Sequence, residues 1–342
     1  MIDIKLLGQL CLCNGISGDE GNVRNLIINE IKDCADDIKT DNLGNLIVFK
    51  KGKKSAKSKL MVSAHMDEVG LMVTDITSDG YLKFDEVGGI DRRVLPGKRV
   101  CVGRNGLNGV IGVKPIHLTN GDEKTAVPKM NDMYIDIGAE SREDALKYVN
   151  YGDGINFEGD FKINGKTVVT KALDDRFGCY VLINLIKSEP EYDMYFTFVV
   201  QEEVGLRGAR PAAFTVNPDF ALVIESTTAA DVAEVDASHQ VCNLSKGATV
   251  AVMDRATVYD KEMISAAFEL AEKNNIAVQY KRAVAGGNDS GAIHQSRGGV
   301  RTLAVSLPSR YIHAPSTAAN LDDCESVLKL AKYCPIILRA EI

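Results

Sequence analysis

The stretch KLMVSAHMDEVG, residues 59–70, joins an apolar run to a histidine, His65, and two positions later to an aspartate, Asp67. Residues 60–64 have the length and composition of a strand buried on both faces, so His65 is expected to emerge at its C-terminal end. In open α/β sheets that end is where sites form. Asp67 then has a natural task, because a metal-bound imidazole usually donates its second ring N–H to a carboxylate that fixes tautomer and orientation. A plain strand end beside a solvated acid would read the same over this stretch, and the remaining sequence has to separate the two.

The chain has 342 residues with 45% hydrophobic content, enough for two cores rather than one. Its 40 Lys and Arg face 47 Asp and Glu, a formal charge of −7, which argues against a nucleic-acid backbone or an anionic membrane as partner. The basic cluster at residues 50–54 reads as a solvated hairpin tip. No basic region followed by a continuous apolar run stands at the start, and no run reaches the ~18 apolar residues of a spanning helix, so a cytoplasmic location is expected. The eight cysteines (Cys11, Cys13, Cys34, Cys101, Cys179, Cys242, Cys324 and Cys334) contain no CxxC pair and read as reduced thiols.

Outward from the opening stretch, residues 3–13 read as a helix, and Ser17 with Glu20 three positions on offers a capping box for a second one. Residues 38–40 and 45–50 predict a hairpin leading into the strand of His65. From residue 71 to about 165 the texture changes to short β-type runs broken by glycine, proline and asparagine, with one helix predicted at 141–149. That pattern predicts a small β-barrel or sandwich, residues 71–165, inserted into a discontinuous domain of residues 1–70 and 166–342. Beyond it strands (167–170, 195–200, 220–224, 248–252, 278–281, 302–306) alternate with helices (176–186, 209–214, 260–273, 290–295), and a closing helix is predicted at 324–339. The fold class is therefore α/β, a mostly parallel sheet flanked by helices and assembled from both ends of the chain.

Four further stretches place acids or a histidine just beyond a predicted strand. Asp174 and Asp175 follow the strand at 167–170, and Glu202 and Glu203 follow the apolar run at 195–200. Glu225 ends the run at 221–224, and His313 lies in SRYIHAPS, residues 309–316. An Asp-Asp pair before a helix often only caps it. Tandem glutamates at a core strand end are harder to dismiss, since buried carboxylates must be paired or metal-bound. Two histidines and at least three carboxylates at strand ends form the donor set of a two-metal site, and a glutamate not needed as a ligand can act as general base.

These residues carry a resemblance. AHMDEVG, KALDDR, QEEVGLRGA, VIES, GGNDSGAIH and SRYIHAPS, with the early GISGDE, resemble in order the motifs of the tetrahedral (TET) aminopeptidases, a metallopeptidase family that includes glutamyl aminopeptidase and proteins called endoglucanase M. The resemblance implies a zinc-peptidase-like α/β domain interrupted by a β-rich dimerisation domain, and a homododecamer built from dimers. It implies two divalent ions per subunit, Zn²⁺ or Co²⁺ with Mn²⁺ also acceptable, acting on peptide substrates through a water shared by the metals. Position by position, it makes Asp174 the bridging carboxylate, His65 and Glu225 ligands of one metal, and Glu203 and His313 ligands of the other. Glu202 is then the general base and Asp67 the partner of His65. Family members often carry Asp where this chain has Glu225, and the choice of Asp174 over Asp175 rests on the resemblance alone. Asp289, in GGNDSG, is a candidate substrate residue.

Two other function classes were weighed. A glycoside hydrolase would use paired carboxylates without histidine ligands, and this chain has no tryptophan to stack on sugars. A non-catalytic assembly protein would keep the shell without the chemistry. His117, His239 and His294 read as loop, interface or packing residues, and Arg176 as the partner of a nearby acid.

Overall fold

The structure, a computed structural model, describes residues 1–122 and 124–338. The strands are β1 (Asp37–Thr40), β2 (Leu46–Lys50), β3 (Leu60–His65), β4 (Gly70–Ile76), β5 (Leu82–Val87), β6 (Arg99–Val102), β7 (Leu107–Gly112), β8 (Tyr134–Asp136) and β9 (Gly154–Phe157). They continue as β10 (Lys162–Asn164), β11 (Thr167–Thr170), β12 (Met194–Val199), β13 (Phe220–Thr228), β14 (Ala248–Val250), β15 (Val278–Tyr280), β16 (Arg301–Arg310) and β17 (Thr317–Asn320). The helices are α1 (Ile4–Leu12), α2 (Gly21–Ile31), α3 (Arg142–Ala145), α4 (Leu173–Lys187), α5 (Ala209–Val216), α6 (Lys261–Lys273), α7 (Ser290–Ile293), α8 (Leu321–Ala331) and α9 (Cys334–Ile337).

The large sheet runs β1-β2-β12-β3-β13-β16-β17-β11-β10, with β14 on β16 and β15 on β14. Its centre, β12-β3-β13-β16, is parallel, and antiparallel pairs flank it on both sides, so the sheet is mixed. The parallel centre is buried and mostly apolar because helices cover both faces. Register there sets the site. Val199 pairs with His65, and Val223 pairs with Ser63, which brings Glu225 level with His65.

Strands β4 to β9 close into a barrel, β4-β5-β8-β7-β6-β9, with a core of its own. Both barrel and sheet start from one short joint, since β3 ends at His65 and β4 begins at Gly70. A Cβ on Gly70 would stand 2.2 Å from Ile16 Cγ2 and 2.8 Å from the Ile155 carbonyl, so only glycine fits the crossing. β10 lies at the edge of the sheet rather than in the barrel, so the barrel strands end at Phe157.

Three local expectations are corrected. The capping box does not form: α2 begins at Gly21 with Glu20 as its first flanking residue, and the Ser17 hydroxyl instead donates to Asp67, the stronger acceptor. The helix predicted at 141–149 is regular as α3 over Arg142–Ala145, capped by Ser141, which accepts from the Asp144 amide, and runs on as hydrogen-bonded turns to Val149. The predicted closing helix is two, α8 and α9, and α9 carries Pro335 in its first turn, where a missing N–H costs least. Arg339, its predicted end, lies outside the described residues. β9, β10 and β17 escape a sequence reading: the TAAN of β17 has little β propensity and is a strand because β11 and β16 pair with it.

Candidate metal centre

The C-terminal edge of the parallel strands gathers the acids and histidines. His65 Nε2 lies 3.3 Å from Asp174 Oδ1 and 3.3 Å from Glu225 Oε1. On the other side, His313 Nε2 is 3.1 Å from Glu203 Oε2 and 3.6 Å from Asp174 Oδ2. One carboxylate, Asp174, thus turns each of its oxygens toward a different imidazole. The donor atoms of His65, Asp174 and Glu225, and those of Asp174, Glu203 and His313, each lie within 4.8 Å of one another, and so do those of His65, Glu202 and Glu203. The His65 side chain is 1% exposed and that of His313 39%, so the centre opens to solvent on the His313 side.

Asp174 and Asp175, adjacent in sequence and joined by a cis peptide, part company in space. Asp175 is fully buried and accepts from the amides of His65 and Gly178 at 3.3 and 3.0 Å. It is thereby occupied with holding strand end and helix together, and Asp174 faces the histidines.

Asp67 lies beneath this arrangement. Its Oδ1 is 3.4 Å from His65 Nδ1, and its backbone carbonyl is nearer, at 3.1 Å. The carboxylate also accepts from the amides of Glu202 and Glu203 at 3.0 and 3.1 Å and from the Ser17 hydroxyl at 2.6 Å. One buried acid therefore aims both the histidine ring and the loop of the two glutamates. Ser17 and Glu20, whose Oε1 accepts from the Gln201 amide at 3.1 Å, are the site residues that sequence reasoning missed. Their only signal was the GISGDE motif, which reads locally as a helix cap.

The loops around the centre hold strained backbone. Ala172, Gln201, Tyr311 and His313 all have positive φ, at 55°, 56°, 61° and 60°. Left-handed residues other than glycine persist where surrounding structure over-determines them, and they cluster at functional sites. The barrel also reaches the centre: a Cβ on Gly88, just past β5, would lie 3.2 Å from the Glu203 Cβ.

Electrostatics bind the group together. Burial alone would lower the pKa of His65 and of His313, but facing carboxylates outweigh it. For His65 these are Glu225, Asp174 and Asp67, and they raise its pKa well above the usual value. For His313 they are Asp174 and Glu203, and they raise it to about 11. Burial pushes Glu225 up to about 8, with Asp174 adding to the shift and His65 opposing it. Glu202, half-buried, is raised well above the carboxylate range by burial, with Glu225, Asp289 and Glu203 pushing the same way.

Asp289, the candidate substrate residue, lies beside the donor groups. It is fully buried at the start of α7, and neither carboxylate oxygen has a hydrogen-bond partner. Burial lifts its pKa to about 7, with Asp67 and Glu203 adding to the shift and His65 opposing it. His117 and His239 are exposed, and His294 holds the Ser290 carbonyl at 2.8 Å. Among the described residues, none of the three joins the donor groups.

Comparison with known proteins agrees with this geometry. Residues 44–330 match the model of the M42 glutamyl aminopeptidase family. A putative aminopeptidase of Acetivibrio thermocellus is 44% identical over 92% of this chain and 93% of its own. Lysyl aminopeptidase of Pyrococcus furiosus is 33% identical over 97% and 96%. Among solved structures, the Pyrococcus horikoshii TET1 peptidase, described as assembling into a tetrahedron or a large octahedral shell, superposes with a TM-score of 0.86 at 39% identity, covering 99% of both chains. The chain belongs to the M42 glutamyl aminopeptidase family and is a metalloaminopeptidase.

Proposed function

We propose that this chain is a dinuclear aminopeptidase in which Asp174 would be shared by two divalent ions, with His65 and Glu225 holding one and Glu203 and His313 the other. The observation that carries the reading is the placement of the Asp174 oxygens, one 3.3 Å from His65 Nε2 and the other 3.6 Å from His313 Nε2. The donor set suits the ions: two imidazoles among three carboxylates are borderline ligands accepted by Zn²⁺, Co²⁺ or Mn²⁺, and Glu225 keeps a buried oxygen, Oε2, with no other partner. When bound, such ions supply Lewis acidity toward a scissile carbonyl and lower the pKa of water toward ~7.

Glu202 does the proton work. Unlike Glu203 it has no histidine at hydrogen-bond distance, and its environment raises its affinity for a proton, which suits an acid–base group near neutral pH. It takes the proton of the attacking water and returns it to the leaving amine. Asp67 keeps the glutamate loop and the His65 ring aligned during that exchange. Interleaving of imidazole with carboxylate favours this reading over a glycosidase, whose acids need no histidine between them.

We further propose that the barrel mediates pairing of chains and that dimers build a closed homo-oligomer, up to a dodecamer. In support, the barrel has its own core, and its loops expose Ile116, Leu118 and Val127. Light scattering gives the particle mass directly.

The deciding experiment is hydrolysis of aminoacyl-p-nitroanilides and of soluble glucan, before and after chelation. Loss of peptide hydrolysis with EDTA and recovery with Co²⁺ or Zn²⁺ is expected. Chelator-resistant hydrolysis of glucan would reverse the assignment. Acidic, aliphatic and basic side chains on the nitroanilide establish which N-terminal residue is preferred.

A further inference from the structure

Outside the donor groups, one buried ionic cluster is not used by the proposed reaction. Glu68 stands in the joint between strand and barrel, next to Asp67, and is 3% exposed. Its Oε1 receives the Lys171 ammonium at 2.6 Å and Arg176 Nη2 at 3.3 Å. Lys171 is 3% exposed and Arg176 fully buried. The two cations are not neighbours by accident of packing alone, because they flank Asp174 in the chain, one three residues before it and the other two after.

Arg176 extends the contact. Its Nε donates to the Met66 carbonyl at 2.6 Å, Nη1 to the carbonyls of Leu10 and Cys13 at 2.7 and 2.5 Å, and Nη2 to that of Gly15 at 3.0 Å. The segment carrying His65 and Asp67 is thus tied on both sides of Asp67 to the 171–176 junction carrying Asp174. The Gly15 carbonyl also accepts from the Glu68 amide at 3.1 Å, which brings in the chain leading to Ser17. Taking ions out of water is costly, so a buried cluster of this kind is weak evidence for stability, and its placement is what bears on its role.

We propose that the Lys171–Glu68–Arg176 cluster is a positioning device for the metal centre, holding His65 and Asp174 at the spacing an ion requires. The proposal rests on the dinuclear reading above. Lys171 and Glu68 are positioning residues and touch neither substrate nor ion; Lys171 acts only through Glu68 and through the backbone leading to Asp174.

Charge makes the test sharp. Lys171 lines the same small cleft as Asp174, Glu203 and His313, so its ammonium repels any cation bound there. If Lys171 acted only by charge, Lys171→Met would tighten metal binding. If it positions Asp174 against His65, the same variant weakens it. The two accounts predict opposite signs.

The experiment is calorimetric titration of metal-stripped full-length protein with Co²⁺, with thermal melting of the metal-free form alongside. Wild type is expected to take up two ions per chain. For Lys171→Met, at least one step weakens by about 10–100-fold, the range seen when groups supporting a ligand are removed. Lys171→Arg, which keeps the ion pair, restores most of the loss, and at saturating metal the Lys171→Met defect lies in kcat rather than in KM. Unchanged or tighter Co²⁺ binding by Lys171→Met overturns the proposal, even if the metal-free melting temperature falls, since that would show a role in stability only. Should Lys171→Met fail to fold, Lys171→Gln, which removes the same charge, is titrated instead: a weakened step supports the proposal and unchanged or tighter binding overturns it. Wild type taking up no metal at all would remove the dinuclear reading and this proposal together, an outcome distinct from a silent variant on a metal-binding wild type.

Discussion

Glu202 sits where a charge is expensive and a proton acceptor is useful. Burial and three neighbouring acids favour its neutral form, so it is poised to carry a proton rather than to hold an ion. Glu202→Gln is expected to lower kcat by about 10²–10⁴-fold, the usual contribution of a general base, while metal content by atomic emission stays that of wild type. The two histidines give a second prediction. Facing carboxylates raise the pKa of both in the ion-free protein, that of His313 to about 11, and a nitrogen that takes up an ion must first give up its proton. Metal uptake therefore expels protons, and affinity falls as pH falls. Calorimetry between about pH 6 and pH 8, in buffers of different ionisation heat, is expected to show tighter binding at the higher pH with release of protons. At this scale the sequence made the acids and histidines at strand ends visible, because each is an expensive residue at a buried position. Which of Asp174 and Asp175 faces the histidines was not visible, since the choice is made by side-chain direction at a chain reversal. Ser17 was hidden for a related reason: a hydroxyl before a helix reads as a cap until the tertiary fold offers it a carboxylate.

The elements that decide the site are short. Gly70 is the crossing point of β3, the barrel and the Gly15–Ser17 approach, and its missing Cβ is what lets Ile16 pack there. Gly70→Ala is expected to destabilise the protein by about 1–3 kcal/mol through overpacking, read as a lower urea midpoint. Because Ser17 is next to Ile16, the same change should also lower kcat/KM. Ser17→Ala tests that link separately: losing a buried hydrogen bond to a charged acceptor costs about 1.5–3 kcal/mol, and weaker metal binding without a change in substrate KM is the expected result. Strands with apolar β-branched runs and helices with regular spacing could be read from the chain alone. β10 and β17 could not, being sheet members by virtue of their partners.

Taken whole, the molecule is two cores on one joint, with the metal centre beside it. Change of texture after residue 70 made the second core legible, as periodic apolar runs gave way to glycine-broken strands. The antiparallel flanks of the sheet were not legible, because strand direction leaves no mark in local composition. Among the described residues, no helix is long and apolar enough to cross a membrane. Ions that bind only the folded chain raise its stability by mass action, about 2.7 kcal/mol per site at a hundredfold excess over Kd. Melting in the presence of Zn²⁺ is therefore expected several degrees above melting in EDTA, and equal melting temperatures would count against ligands drawn from both halves of the chain.

The order of the donors along the chain has a consequence in time. His65 is made before the barrel, while His313 is made after β16, just ahead of β17, α8 and α9. The barrel strands, contiguous from Gly70 to Phe157, can close early, but β16, a member of the parallel centre, is made after every other strand except β17. Folding follows synthesis from the N-terminus. A nascent chain can thus hold a closed barrel beside an open sheet, and the full donor set of the proposed centre exists only once His313 has been made. The proposed chemistry therefore waits on a residue made long after the barrel is complete.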